Sequence, residues 1–200
     1  MSEPTHILSR IEAALNASGD LIYDWEFASD SIRWYGSLAA VLGHASAEPV
    51  GTGDRFHARV SHGDLAVRLK ALARHFSARV PFDCEYRLRC EDGTVAWVHD
   101  RGMAEVDASG NPARMVGTLR VITASKQRAK RLEYLANFDD LTGHFNKARL
   151  RDAVQHAVSQ TERHGTRGAF LVVDVDNLSM VNDAFGHAIG DAVIIGLGER

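Results

Sequence analysis

Ten consecutive residues constrain this chain more than any other stretch. From Phe82 to Glu91 the side chains alternate without a break, with Phe82, Cys84, Tyr86, Leu88 and Cys90 set against Asp83, Glu85, Arg87, Arg89 and Glu91. A period of two matches a strand, whose successive side chains point to opposite faces, whereas a helix would scatter the apolar residues around its circumference. One apolar and one charged face is the pattern of a half-buried antiparallel strand. Glu91-Asp92-Gly93 then reads as a tight turn, Thr94 to Val106 as a return strand, Asp107 to Pro112 as a second turn and Met115 to Ile122 as a third strand. Asp and Gly supply the backbone conformations such turns require.

Upstream, Ile7, Leu8, Ile11, Ala14 and Leu15 recur at spacings of three and four, which predicts a helix over 6–16 ending near Ser18-Gly19. The period changes to two at Leu21, Tyr23, Trp25 and Phe27, and a short strand from Ser31 to Tyr35 after the Ala28-Ser29-Asp30 turn completes a hairpin. Short helical pieces follow through Leu38 to Leu42, and a longer helix spans His62 to Phe76 with Leu65, Leu69, Leu72 and Phe76 on one face. Two short strands, helices and a meander predict an α+β unit, an antiparallel sheet with helices packed on one face.

After Thr123 the composition shifts to SKQRAKRLEYLANFDD, a charged helix on which Ala129, Leu132, Leu135 and Ala136 form a short seam for a partner helix. An amphipathic segment from Asn146 to Glu162, a Gly165-Thr166-Arg167-Gly168 turn and the apolar run AFLVVDVD come next; the run reads as a central buried strand. A last helical pattern starts at Ala192. The expected organisation is an N-terminal helix (1–20), a first domain (21–123), a helical linker (124–139) and a second domain from 140 onward.

With 45% hydrophobic and 24% charged residues the chain falls in the globular range. A net charge of -3 offers no basic field for a nucleic-acid polymer. The N-terminus MSEPTHILSR lacks the basic start and apolar run of a secretion signal, and no stretch has the length of a membrane span, so the expected compartment is the cytoplasm. Cys84 and Cys90 lack the spacing of a metal or redox site and are expected as reduced core residues.

FDDLTGHFNKARL and VVDVDNLSMVNDAFGHAIGD contain, in order, D-x-LTG-x-x-N, D-x-D, N-D-x-x-G-H and G-D. This compound pattern closely resembles the opening half of GGDEF domains, which have a ferredoxin-like, cyclase-type α/β fold. Residues 21–123 resemble a PAS domain: a W-x-x-D-rich opening, an H-x-D before the long helix, the E-Y-R-x-R strand, a D-G turn and a terminal Val121-Ile122-Thr123. The pairing implies a bacterial cyclic-di-GMP signalling protein. Diguanylate cyclases join two GTP molecules, each 3'-hydroxyl attacking the other's α-phosphate, with Mg2+ or Mn2+ stabilising the phosphate charge.

By that resemblance Asp174, helped by the backbone carbonyl of Val175, matches the family's metal ligand, and Asn182 and Asp191 match its guanine-reading pair. The residue types suit the task, since a carboxylate accepts from guanine N-H groups while an amide donates to ring acceptors. Blander readings stay open: Asp174 and Asp176 as the close of a buried strand, Asn182 as a turn residue and Asp191 as the N-cap of the next helix. Gly186 and Gly190 suit a backbone turning closely around a ligand, with His187 supporting that turn. Leu178-Ser179 stand where Phe-Lys is usual and Lys147 where arginine is usual, which puts turnover in doubt. The GG(D/E)EF hairpin, with the second metal carboxylate, is absent from these residues, so no activity is expected of them alone.

In the first domain Trp25, Trp34, Tyr86 and Trp97 are the candidates for lining a ligand pocket, with simple core packing as the alternative. The ligand itself is left open. Lone histidines at 57, 62, 75 and 99 do not argue for haem, and two strand cysteines do not argue for flavin photochemistry. Three functions follow: a regulatory region whose GTP-binding variant GGDEF domain controls a downstream EAL phosphodiesterase; a PAS-regulated diguanylate cyclase; or a non-enzymatic PAS interaction module. Expected partners are GTP and cyclic-di-GMP, a second copy through the PAS and linker helices, and a protein adaptor on the PAS unit.

Overall fold

A computed structural model describes residues 3–43, 46–165 and 167–199. The chain divides into two compact units after Lys126. In the first, α1 (Glu3–Ser18) leads into β1 (Asp20–Glu26) and β2 (Ser31–Tyr35), followed by α2 (Leu38–Leu42), a 3-10 turn (Glu48–Val50), α3 (Gly53–Arg59) and α4 (His62–Ala78). The meander β3 (Phe82–Arg89), β4 (Val95–Val106) and β5 (Pro112–Val121) completes it. The strands form one antiparallel sheet of order β2-β1-β5-β4-β3, so the meander inserts its last strand beside the N-terminal hairpin.

The alternation in β3 is realised without exception, apolar side chains in and charged ones out. Leu21, Tyr23 and Trp25 of β1, Ala96, Val98 and Asp100 of β4, and Met115 and Leu119 of β5 share its inner face. Leu42 of α2, Phe56 of α3 and Leu72 of α4 close over them to make one core. Gly102 and Gly117 are paired across β4 and β5, and a Cβ at Gly117 would lie 2.3 Å from Tyr23 Cζ, so the missing side chains make room for that ring. Cys84 and Cys90 are buried free thiols, as expected.

Of the stripe expected on α4, Leu65, Leu72 and Phe76 pack on the core but Leu69 does not. Arg68, Leu72 and His75 face inward while Leu69 is 46% exposed. His75 Nε2 accepts the Ala104 N-H at 3.0 Å and its Nδ1 contacts the Val80 carbonyl, tying the end of α4 to β4. The core therefore takes in His75, whose two ring nitrogens both find partners, and Arg68, whose terminal nitrogens meet His57 and Asp100, over a leucine one position on.

In the second unit α5 (Thr123–Asn137), which begins in the first, is followed by α6 (Lys147–His164), α7 (Leu178–Phe185) and α8 (His187–Gly198). The buried strand expected from AFLVVDVD is not formed. Residues 167–175 carry no regular structure, and Phe170, Leu171, Val172 and Val173 are between 64% and 81% exposed. A central strand needs hydrogen-bonding neighbours, and among the described residues of this unit there is no strand to pair with it. The last helix starts at His187, five residues before Ala192, so Asp191 lies inside α8 and is not its N-cap.

Candidate functional site

The inner face of the PAS-like sheet carries the first candidate. Trp25 Nε1 donates to Asp30 Oδ1 at 2.9 Å, and the same carboxylate accepts the N-H groups of Gly53 and Asp54 at 3.0 and 3.1 Å. Asp30 holds a left-handed φ of 52° to do this, pinning the β1–β2 turn to the start of α3. Trp34 Nε1 donates to the Val50 carbonyl at 2.8 Å. Both indoles are satisfied by the protein's own groups and line a cavity of only about 10 Å3 with Tyr23, Ile32, Phe56, Arg68 and Asp100. That space is at the threshold for a single water.

Tyr86 lies beside this cavity and donates its hydroxyl to Asp100 Oδ2 at 2.6 Å. Trp97 does not belong to the group. It sits on the opposite face of β4, between Arg87 and Lys126, whose charged ends lie 5.5 and 5.3 Å from its ring. The strand period places it there, because Ala96, Val98 and Asp100 are the buried positions. Lys126 also pairs with Glu85, and Thr123 Oγ1 accepts the Trp97 N-H at 2.8 Å, so the start of α5 is fastened to the outer face of the sheet.

Arg68 and Asp100 were not among the sequence candidates. Arg68 Nη2 meets Asp100 Oδ2 at 3.4 Å, its Nη1 donates to His57 Nε2 at 2.5 Å, and both members of the ion pair are at most 2% exposed. Burial raises the Asp100 carboxyl above the usual carboxylate range against the opposing pull of Arg68 and the Tyr86 hydroxyl. Burial and the neighbouring Asp100 charge likewise raise the Tyr86 and Tyr23 phenols. Burial, then the Arg68 charge, lowers the His57 imidazole to about 4. The signal available in the sequence was an arginine on the Leu65, Leu72, His75 stripe of α4.

The second candidate is built on the motif residues of the second unit. Asp139 Oδ1 accepts both the N-H and the hydroxyl of Thr142 at 2.9 Å, which, with the Thr142 bonds as the leading cause, holds its carboxyl below the usual range. Gly143 follows at φ 71°, and Asn146 caps α6 by accepting the Arg149 N-H at 2.9 Å. The D-x-LTG-x-x-N pattern is thus a turn and a helix cap. Asn182 lies in α7 with its Oδ1 buried and without a hydrogen-bond partner among the described residues. Gly190 of α8 faces it so closely that a Cβ there would fall 1.9 Å from that oxygen. Asp191 is exposed on the next position of α8, and Asp174 and Asp176 are exposed beside Val175, whose N-H is accepted by Asp174 Oδ1 at 2.9 Å.

Asp174 and the Val175 carbonyl, the pair the resemblance points to, are hard oxygen donors of the kind that hold Mg2+ together with substrate phosphates. No cluster of three or more potential metal-ligating side chains occurs among the described residues, so phosphate or further protein oxygens must complete any coordination. The orphaned Asn182 oxygen is buried against Gly190, the residue before Asp191.

An antiparallel sheet of order 2-1-5-4-3 with helices on its inner face defines the PAS class of fold, and residues 31–119 match the PAS fold family. Residues 136–200 match the diguanylate cyclase GGDEF domain family. The chain is a PAS domain followed by the opening part of a GGDEF domain. It is 34% identical over 132 residues to the uncharacterized protein y4lL of Sinorhizobium fredii, covering 62% of this chain and 16% of that one. Over 89 residues it is 38% identical to the bifunctional diguanylate cyclase/cyclic di-GMP phosphodiesterase MucR of Pseudomonas aeruginosa, covering 44% of this chain and 13% of MucR. A sensory box histidine kinase/response regulator from Burkholderia thailandensis superimposes with a TM-score of 0.50 at 26% identity, covering 62% of this chain and 92% of that structure. The chain spans less than a fifth of the length of these curated relatives. Among the described residues no helix is long and apolar enough to cross a membrane.

Proposed function

We propose that this chain is the sensory and regulatory input region of a longer bacterial cyclic-di-GMP turnover protein, in which a GTP-binding GGDEF domain of variant motif controls a downstream EAL phosphodiesterase. The observation that carries this reading is the joint presence of Asp174, Asn182 and Asp191 with Leu178-Ser179 where a lysine is usual. The nucleotide-reading residues are kept while a cation near the phosphates is lost, and a charge-assisted contact of that kind is stronger than a neutral one. The similarity to MucR, named for both activities, supports a parent of the composite type. Asp174 and the Val175 carbonyl would hold Mg2+ or Mn2+ with GTP, and the metal would neutralise phosphate charge. The parent is expected in the cytoplasm, dimeric through its PAS and linker helices, with the outer face of the PAS unit open to an adaptor.

A coupled assay on a protein extended well past Arg200 tests the direction of turnover. Linearisation of cyclic-di-GMP without synthesis is the expected result, and synthesis from GTP would overturn it in favour of a PAS-regulated cyclase, a reading to which the similarity to the probable diguanylate cyclase DgcC of Escherichia coli lends support. In the same protein Asn182→Ala and Asp191→Ala should each weaken GTP binding by about 1–3 kcal/mol, measured by calorimetry. Gly190→Ala should weaken it as well, because the added methyl displaces the Asn182 amide.

A further inference from the structure

The PAS interior is occupied, and its occupant is part of the chain. The Arg68 guanidinium lies 5.1 Å from the ring centre of Phe56, 5.6 Å from Phe82 and 5.5 Å from Tyr86. Rings at these distances attract a cation through the negative charge on their faces, and several together make the aromatic cages that recognise free organic cations. Asp100 supplies a fully buried carboxylate at the same place, held by Tyr86. Arg68 fills the cage imperfectly. Its Nε, Asp100 Oδ1 and the Tyr23 hydroxyl are buried with no hydrogen-bond partner among the described residues, and one of them, Asp100 Oδ1, belongs to the cage wall. A carboxylate evolved only to neutralise its own arginine would be expected to meet it squarely and bidentately, as Asp24 meets Arg114 through two bonds of 2.5 Å in the same fold. The single 3.4 Å contact of Arg68 with Asp100 does not.

We propose that this aromatic and carboxylate cage is a recognition site for a small guanidinium-type cation, with the Arg68 side chain as its tethered occupant. The walls come from three separate elements, Phe56 from α3, Phe82 and Tyr86 from β3 and Asp100 from β4, so the site exists independently of α4, which brings the arginine. Trp25 and Trp34 line the remaining space of about 10 Å3, too little for any further ligand while Arg68 is in place. A diffusible cation of this class therefore binds only when Arg68 is withdrawn.

The test removes the tether in the 200-residue chain. Arg68→Ala should lose stability and regain it on adding millimolar methylguanidinium, as a saturable rise of about 4 °C or more in melting temperature. Methylurea, which has the same shape without the charge, should give no such rise, and neither should methylguanidinium added to Arg68→Ala/Asp100→Asn or to the wild-type chain. If Arg68→Ala is unfolded at room temperature, the readout becomes a cation-dependent gain of far-ultraviolet dichroism and a blue shift of tryptophan emission. Arg68→Lys, which keeps a cation on a tether, should fold and melt above Arg68→Met. Failure of methylguanidinium to stabilise or refold Arg68→Ala, an equal effect of methylurea, or an equal rise in the wild type would each overturn the proposal.

Discussion

The two units of this chain use similar apolar content to opposite ends. Every buried hydrophobic side chain among the described residues lies between Leu15 and Leu119, while the apolar run Phe170 to Val173 of the second unit stands in solvent. The first unit closes because its strands come as hairpin and meander, each finding a partner a short distance along the chain, and α2 to α4 then cover the resulting face. The second unit presents helices α6 and α7 without a single buried residue. Apolar residues alone do not make a core; a strand must first satisfy its backbone groups before its side chains can be buried.

That contrast can be broken most directly by paired truncations of buried and exposed side chains. Leu119→Ala, at a position of 0% exposure, should cost about 2–5 kcal/mol in urea unfolding followed by dichroism. Val172→Ala should stay within about 0.5 kcal/mol of the parent. A comparable loss at both sites would mean that the apolar run is packed in solution. Gly117→Ala sharpens the account of the first core: its methyl would run into Tyr23 and the Arg101 carbonyl, each 2.3 Å away, and overpacking of this kind costs about 1–3 kcal/mol. Asp30→Ala removes the acceptor for Trp25, Gly53 and Asp54 and should cost about 1–2 kcal/mol, with a change in tryptophan emission that Asp30→Asn partly restores.

A smaller effect is expected from pH at His57. His57 faces Arg68 from α4, Asp30 from the β1–β2 turn and Asp54 from its own helix, and it titrates near 4 in place of the ordinary 6.5. Its folded value is depressed, so the neutral imidazole contributes stability that is complete above pH 6.5 and is lost as the pH falls toward 4. Melting temperatures recorded across that window should fall in the parent and fall less in His57→Gln. An identical slope in both would remove His57 from the cluster around Arg68.

Much of the first unit was legible from period alone. The unbroken alternation of β3, the D-G turn after it and the hairpin around Ala28-Ser29-Asp30 place all five strands within a few residues of where they lie. Trp25 and Trp34 do line the inner space, and Tyr86 borders it, since strand parity and size suffice to send them inward. Parity also contained the answer for Trp97, which shares the phase of exposed positions in β4 and forms part of the outer face. On α4 the apolar count favoured Leu69, yet the neighbouring Arg68 is the buried one, because its charge finds Asp100 and three aromatic rings there. In the second unit the N-cap at Asn146 could be read from residue type, whereas α7 went unseen because its eight residues carried the nucleotide motif and showed no core-facing period.

The sequence by itself determined the five strands and the long helix of the PAS unit, the order of the two families along the chain and the identity of the residues that resemble a nucleotide site. These depend on neighbours a few positions apart, which period, turn chemistry and motif spacing record directly. Only the tertiary structure decided that Arg68 enters the core, that Trp97 stays out of it and that Asn182 is pressed against Gly190 with its oxygen unpaired. The Arg68 and Asp100 pair spans 32 positions and three elements, and a buried charge is tolerated only where distant segments bring its partners together.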